Sequence, residues 1–298
     1  MIKFKQLRKR IINKELTPYL FLALPLIIYF IWVVGPMFYS FYLSLTKWDG
    51  FTEPVFIWFK NFGKLIQDPV FFISLKNNLI WIIAFITIPV ILGLFIAMAL
   101  NKRIPGGKFF KAGFYAPMVL SLVVCGLIWS WMYHPASGLI NTVLRSIGLD
   151  YLAQGWLSDA ELVLGAIIVV AIWRQVGYVM ILYLAGLKSV DTNLVDASKV
   201  DGANAIQTFW YVIMPQLAPV TVIVVVISII ESIRAFDFVA VMTRGGPYNS
   251  SNVLAYFMYI EAFNNYNMGY GASIAVVLFL ISSVFIVIYL KLITKVKS

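Results

Sequence analysis

Charged side chains inside otherwise apolar stretches are the residues of this 298-residue chain that could do chemistry. Arg174 interrupts one such stretch, and Glu231, Arg234 and Asp237 interrupt another. The last three stand at i, i+3 and i+6, which keeps them on one broad face of a helix. A charge at the centre of a bilayer costs roughly 3 kcal/mol or more on insertion scales, so such residues face a bundle interior, a partner or a water-filled path. Four groups of both signs can hold helices together as ion pairs or line a path for a polar solute, and the residues alone leave both readings open. Asn78, Trp173 and Tyr178, with Trp129, add hydrogen-bonding and stacking surface to the candidate path. For each of them alone, packing or interfacial anchoring is the commoner role.

Bond-making chemistry has little to work with. Cys125 is the single cysteine and His134 the single histidine, so the chain cannot build a disulfide, a Cys–His zinc site or a His-dependent triad within itself. No metal site is expected. A phosphate-cradling loop needs Gly, four residues, then Gly-Lys-Ser/Thr, whereas Pro105-Gly106-Gly107-Lys108-Phe109 lacks the first glycine and the hydroxyl. These residues read instead as a tight turn. Energy for any vectorial work must then come from another chain or from an ion gradient.

The elements that must position these residues are membrane spans. Hydrophobic residues make up 61% of the chain, charged residues 12%, and mean hydropathy is +0.89, against about 25% charge in soluble domains. A spanning helix takes roughly 20 apolar residues, and six such windows occur, near 19–46, 77–100, 112–132, 162–187, 216–243 and 270–290. The basic stretch from Lys3 to Arg10 precedes an apolar run too long for a signal core and without a small-residue cleavage site, so the first span is read as uncleaved. Lys and Arg are retained on the cytoplasmic side. Placing the amino terminus there puts few basic residues in outer loops, among them Lys47, Lys60, Lys64, Arg145 and Arg244. The expectation is an all-α polytopic membrane protein with both termini cytoplasmic: a basic segment 1–18, a six-span domain 19–293 and a tail 294–298. The net charge of +10 reports topology and contact with anionic lipid. It forms no single basic patch with exposed aromatics, so nucleic acid is not an expected partner.

Between the fourth and fifth spans lies a polar segment, DASKVDGANAIQTFWYVIMPQLAP, running from Asp196 to Pro219. Asp196 to Ala205 is compatible with a short helix, Gly202 can end it, and Pro215 is placed to begin the next span, where a missing N–H costs little. By itself this could be an ordinary interfacial helix with solvated charges. Its layout is an acidic residue, two small residues, three positions, Gly202, nine positions, then Val212-Ile213-Met214-Pro215. It resembles the coupling loop of binding-protein-dependent ABC importer permeases of the MetI-like fold, whose pattern is Glu-Ala-Ala, three residues, Gly, nine residues, Ile-x-Leu-Pro. Asp196, Ser198, Val212 and Met214 depart from that pattern conservatively.

Other segments resemble the carbohydrate-uptake branch in order and spacing: Asn61-Phe62-Gly63-Lys64-Leu65 with Asp68-Pro69 and Asn77-Asn78; Arg103-Ile104-Pro105-Gly106; Phe114-Tyr115-Ala116-Pro117; Trp173-Arg174 with Gly177; Leu184-Ala185-Gly186-Leu187; Gly245-Gly246-Pro247; and Met268-Gly269-Tyr270-Gly271-Ala272. The resemblance implies a permease subunit of an ATP-driven importer in a bacterial cytoplasmic (inner) membrane, carrying a sugar, oligosaccharide or related polyol. It implies a coupling loop over 189–215, with Asp196 meeting a basic group on an ATPase, Ala197 and Ser198 allowing close approach, and Asp201, Gly202 and Pro215 shaping the loop. It also implies a second permease chain, as a heterodimer or a homodimer, two ATP-binding-cassette subunits and an extracytoplasmic solute-binding protein. No cofactor is expected in this chain, ATP with Mg belonging to the ATPases, and no catalytic residue is expected here. The alternative from another class is a gradient-driven secondary transporter. Counting about 1.5 Å per residue from the cytoplasmic ends places Arg174 and Glu231 at the same depth, roughly 20 Å in, where they could pair. Glu231 also has Arg234 one turn along its own helix.

Overall fold

The structure, a computed structural model, describes residues 17–102 and 104–296. The expectations for the basic segment through residue 16, for Arg103 and for residues 297–298 lie outside the described residues. Among the described residues five helices are long and apolar enough to cross a bilayer, or six spans if one bent pair is counted as a single crossing. In chain order, α1 (Pro18–Ser44) leads into a two-residue hairpin of β1 (Thr46–Lys47) and β2 (Val55–Phe56), then the short α2 (Lys60–Leu65) and the long α3 (Pro69–Asn101). The bent pair is α4 (Gly107–Val119) and α5 (Leu122–Met132), followed by α6 (Leu139–Ser146) and the spanning α7 (Val163–Leu187). Then come α8 (Thr192–Val200), α9 (Ala205–Thr208), α10 (Met214–Ile233), α11 (Phe236–Met242), α12 (Leu254–Tyr259) and α13 (Met268–Val296).

Three spans differ from the sequence reading. The third is not one rod over 112–132, since α4 and α5 meet at 101°. Pro117 lacks an N–H for the turn before it, Leu120 is extended, and the Ser121 hydroxyl accepts the Val124 N–H at 3.3 Å, so the chain stops one helix and caps another. The second begins at Pro69, well before residue 77, because Asp68 accepts the Val70 N–H and Pro69 occupies the first turn. The fifth begins at Ala205, ten residues before Pro215. Asn204 and Gln207 form a reciprocal capping box there, and a π turn over Phe209–Ile213 precedes the proline. Pro215 therefore sits inside a continuing helix. That helix breaks near its far end at Arg234 and Ala235, before α11.

The bundle is organised around α7. In its most apolar stretch 67% of residues are buried, against 0% for α1. Helices α3 and α4 flank α7. A Cβ at Gly177 would fall on the Phe114 carbonyl of α4, so only glycine permits this approach. At the end of the bundle opposite α8, asparagines tie the loops down. Asn61 donates to the Ser44 and Thr46 carbonyls, Asn77 to those of Ser250 and Asn252, and the Asn78 carbonyl oxygen accepts the Leu254 N–H at 2.7 Å. In the hairpin loop, the N–H groups of Thr52 and Phe51 and the Thr52 hydroxyl hold the Asp49 carboxyl down at about 2.

Candidate functional site

Two arrangements gather the residues singled out above. The first is a knob built from α8 and the start of α9. Asp191 caps α8 by accepting the Asn193 N–H at 2.8 Å. The helix ends with the Ala203 N–H on the Ser198 carbonyl and the Gly202 N–H on that of Lys199, while Gly202 takes φ +80°, the left-handed cap that glycine supplies without strain. Two side-chain contacts lock the knob to the bundle. Gln216 accepts the Asp191 N–H at 2.8 Å while donating to the Val212 carbonyl, and the Ser198 hydroxyl meets that of Thr208 at 3.0 Å.

The knob's outer face is chemically mixed. Ala197, Asp201 and Gly202 are exposed, and Asp196 pairs with Lys199 at 2.8 Å with both side chains in the open. An exposed pair of that kind is worth at most about 1 kcal/mol and exchanges partners readily. Ser198 is buried and turned inward, which leaves Ala197 as the small residue of the pair on the outer face. The sequence reading passed over the apolar side chains beside them: Val200 is 88% exposed and Tyr211 80%, with Leu194, Ile206 and Trp210 also in the open. Their signal was an apolar residue every few positions within a polar loop.

The second arrangement is a narrow cleft in the middle of the spans, where α3, α5, α7, α10 and the break before α11 meet. Trp81, Phe85, Leu122, Arg174, Gln175, Glu231, Arg234 and Phe238 line it. Arg174 and Glu231 thus line the same cleft, but each turns to another partner. Arg174 donates to the Met118 carbonyl at 3.4 Å, which the kink between α4 and α5 leaves free, and Glu231 faces Arg234 at 3.9 Å. Trp81 Nε1, Arg174 Nε and Gln175 Nε2 are buried N–H groups with no partner among the described residues. Such groups are rare in folded proteins and mark places that water or a ligand serves. Gln175 and Trp81 were missed because each sits in an apolar run and reads as packing.

The other candidates lie around this cleft. Asp237 is half-buried in the first turn of α11, and Tyr178 is half-buried one turn below Arg174. Trp173 is turned to the side, edge-on to Trp129 with ring centres 5.4 Å apart. Asn78 is buried at the cap of α12 described above, outside the cleft lining. Among the described residues no three His, Cys, Asp or Glu side chains gather as metal ligands would.

The profile of a family described as "Binding-protein-dependent transport system inner membrane component" matches residues 79–297. The chain belongs to this family. The permease is 38% identical over 272 residues to a probable ABC transporter permease protein of Pyrococcus horikoshii, covering 91% of this chain and 93% of that one. It is 33% identical to the multiple sugar-binding transport system permease MsmF of Streptococcus mutans, over 96% of this chain and 98% of the relative. Its fold matches a chain of a bacterial ABC transporter involved in import of the acidic polysaccharide alginate, with a TM-score of 0.84 at 21% identity, covering 98% of this permease and 100% of that chain.

Proposed function

We propose that this permease lines half of an alternating-access path for a sugar or oligosaccharide in an ATP-driven importer of the cytoplasmic membrane, and that α8 docks in an ATP-binding-cassette subunit. The observation that carries the reading is the knob: a capped helix, internally satisfied, that presents apolar side chains and a small residue outward at one end of the bundle. Val200, Ala197, Asp201 and Gly202 form the contact, Asp196 exchanges Lys199 for a basic group on the partner, and Ser198 and Pro215 act from inside. From Ala205 the helix runs without interruption to Glu231, about 39 Å at 1.5 Å per residue. Motion imposed on the knob is therefore delivered directly to the cleft and to the break at Arg234.

The cleft is the path in this reading, with Arg174, Gln175, Glu231, Arg234 and Asp237 offering hydrogen bonds and Trp81, Trp173 and Tyr178 offering ring faces. The carbohydrate assignment is supported by relatives named for sugar transport and for starch degradation products. This chain supplies path and coupling, while ATP with Mg is held and hydrolysed on two partner ATPases. A second permease chain completes the path, and an extracytoplasmic binding protein delivers the solute. The test is reconstitution of the assembled complex in lipid vesicles with a panel of labelled carbohydrates. Uptake that requires ATP and the solute-binding protein is expected. Uptake by this chain alone, driven by an ion gradient, would refute the proposal.

A further inference from the structure

The loop that follows α11 opens on Gly245-Gly246-Pro247 and lies at the end of the bundle opposite α8. Its apex is a tight turn. The Ser250 N–H donates to the Pro247 carbonyl at 2.9 Å, and the two residues between them, Tyr248 and Asn249, take φ +50° and +64°. Two successive positive φ values mark a turn that Asn-Gly or Asp-Gly ordinarily fills. Asn249 tolerates that geometry, whereas a residue as bulky as tyrosine is an outlier in it.

Packing within the chain does not account for the tyrosine. Trp58 and Tyr266 also hold positive φ, but each rests on a neighbour, Trp58 on Phe56 with ring centres 4.8 Å apart and Tyr266 on Phe51 at 5.6 Å. Tyr248 has no such ring partner among the described residues and is 93% exposed, the most of any large apolar side chain there. The base beneath it is firm. The Ser251 hydroxyl donates to the Gly246 carbonyl at 2.6 Å and meets that of Thr243 at 2.8 Å, the Ser250 hydroxyl donates to the Pro247 carbonyl at 2.7 Å, and the Asn77 amide holds the Ser250 and Asn252 carbonyls. Ser251 to Leu254 are buried. A strained residue persists where its surroundings over-determine it, and such residues gather at functional sites.

We propose that Tyr248 is a fixed peg that enters a concave surface of the extracytoplasmic solute-binding protein when that protein docks on this permease. The proposal rests on the reading of α8 as the ATPase side, which leaves this end to the binding protein that the family's description names. A bare ring at the apex of a turn is convex, and a small solute is held in a concave site. A lipid anchor would continue onto apolar neighbours, whereas Asn249 and Ser250 follow the ring. Tyrosine is a ring of large area with few torsions to fix, and is common where proteins bind tightly. The N–H groups of Thr243 and Arg244 both end on the Val239 carbonyl, so the loop is continuous with α11, whose Phe238 lines the cleft. Docking therefore bears on the cleft from the outer end as the knob does from the inner.

The test is stimulation of ATP hydrolysis in the assembled complex, held in lipid nanodiscs, as the importer's own solute-loaded binding protein is titrated. Tyr248→Gly and Tyr248→Ala should each raise the half-saturating concentration of binding protein about tenfold or more, while Tyr248→Phe stays close to the native chain. Glycine also relieves the turn, so Tyr248→Gly should hold or raise the thermal midpoint of the complex while it loses affinity. A merely structural residue would lose both together, and that result overturns the proposal. Half-saturation unchanged in the glycine and alanine variants overturns it as well, and leaves the ring to lipid or solvent. A shifted dependence of uptake on solute, with the dependence on binding protein unchanged, assigns Tyr248 to the solute and overturns it too. Absence of any stimulation in the native complex refutes the importer reading itself, and the proposal with it.

Discussion

The knob and the mid-membrane cleft treat their polar groups in opposite ways. In the knob the polar groups are partnered, the buried Ser198 with Thr208 and, at the surface, Gln216 with the Asp191 N–H and Asn204 with Gln207, and what remains outside includes Val200 and Tyr211. In the cleft the buried N–H groups of Trp81, Arg174 and Gln175 have no partner among the described residues, and the Arg234–Glu231 pair is stretched to 3.9 Å. An apolar face in the open suits a surface that another protein covers. Unpaired buried donors suit a space that solvent or solute passes through. In the proposed function, the first region stays rigid while it is pushed and the second is incomplete until it is filled.

The contrast breaks most severely at the joint that supports the cleft. Gly177→Val drives a side chain into the Phe114 carbonyl, an overpacking worth about 3 kcal/mol or more. The expected result is loss of folded protein in a thermal-stability assay, with α4 displaced from α7 and the Arg174 contact to Met118 lost. Next in size, Gly202→Val strains the left-handed cap by about 1 to 2 kcal/mol, although no atom lies within 4 Å of the added Cβ. Uptake should become uncoupled from ATP hydrolysis with the chain still in the membrane, while Gly202→Asn, which tolerates that φ, should stay coupled. Equal behaviour of the two would show that backbone shape at the knob is irrelevant.

A smaller effect separates stability from transport in the cleft. Gln175→Leu removes an unpartnered amide in favour of an apolar side chain of similar size. Stability should hold or rise, by up to about 1 kcal/mol, while uptake falls. A loss of stability would mean that Gln175 is a structural residue. The smallest effect is expected at the stretched pair. Arg234 is 73% exposed, so Arg234→Gln should change stability by less than about 1 kcal/mol, as read from chemical denaturation.

Much of this was legible in the residues, for identifiable reasons. Apolar length located the apolar core of each span but not where the second and fifth begin or that the third is bent, and the position of Gly202 after a polar helical segment located the knob, since a left-handed cap leaves few choices of residue. The kink of α4 against α5 was written in Pro117 and Ser121, but apolar composition continues through it and hides it. The start of α9 was written in Asn204 and Gln207, and Pro215 was the louder signal. The inward turn of Ser198 was not legible, because it depends on Thr208 arriving from the next element. The lining of the cleft was half legible. Charges announce themselves in apolar runs, whereas a buried Gln175 or Trp81 acquires meaning only when five elements converge and leave its N–H without a partner.

The docking of α8 is tested most directly by a cysteine at Ala197, the small exposed residue of the knob. In a Cys125→Ala background, Ala197→Cys should form a disulfide under mild oxidation with single cysteines placed along a surface groove of the ATPase in the assembled complex, and the cross-link should stop uptake until it is reduced. A complex that co-purifies intact yet gives no cross-link at any groove position, or one whose uptake continues while cross-linked, would contradict the account.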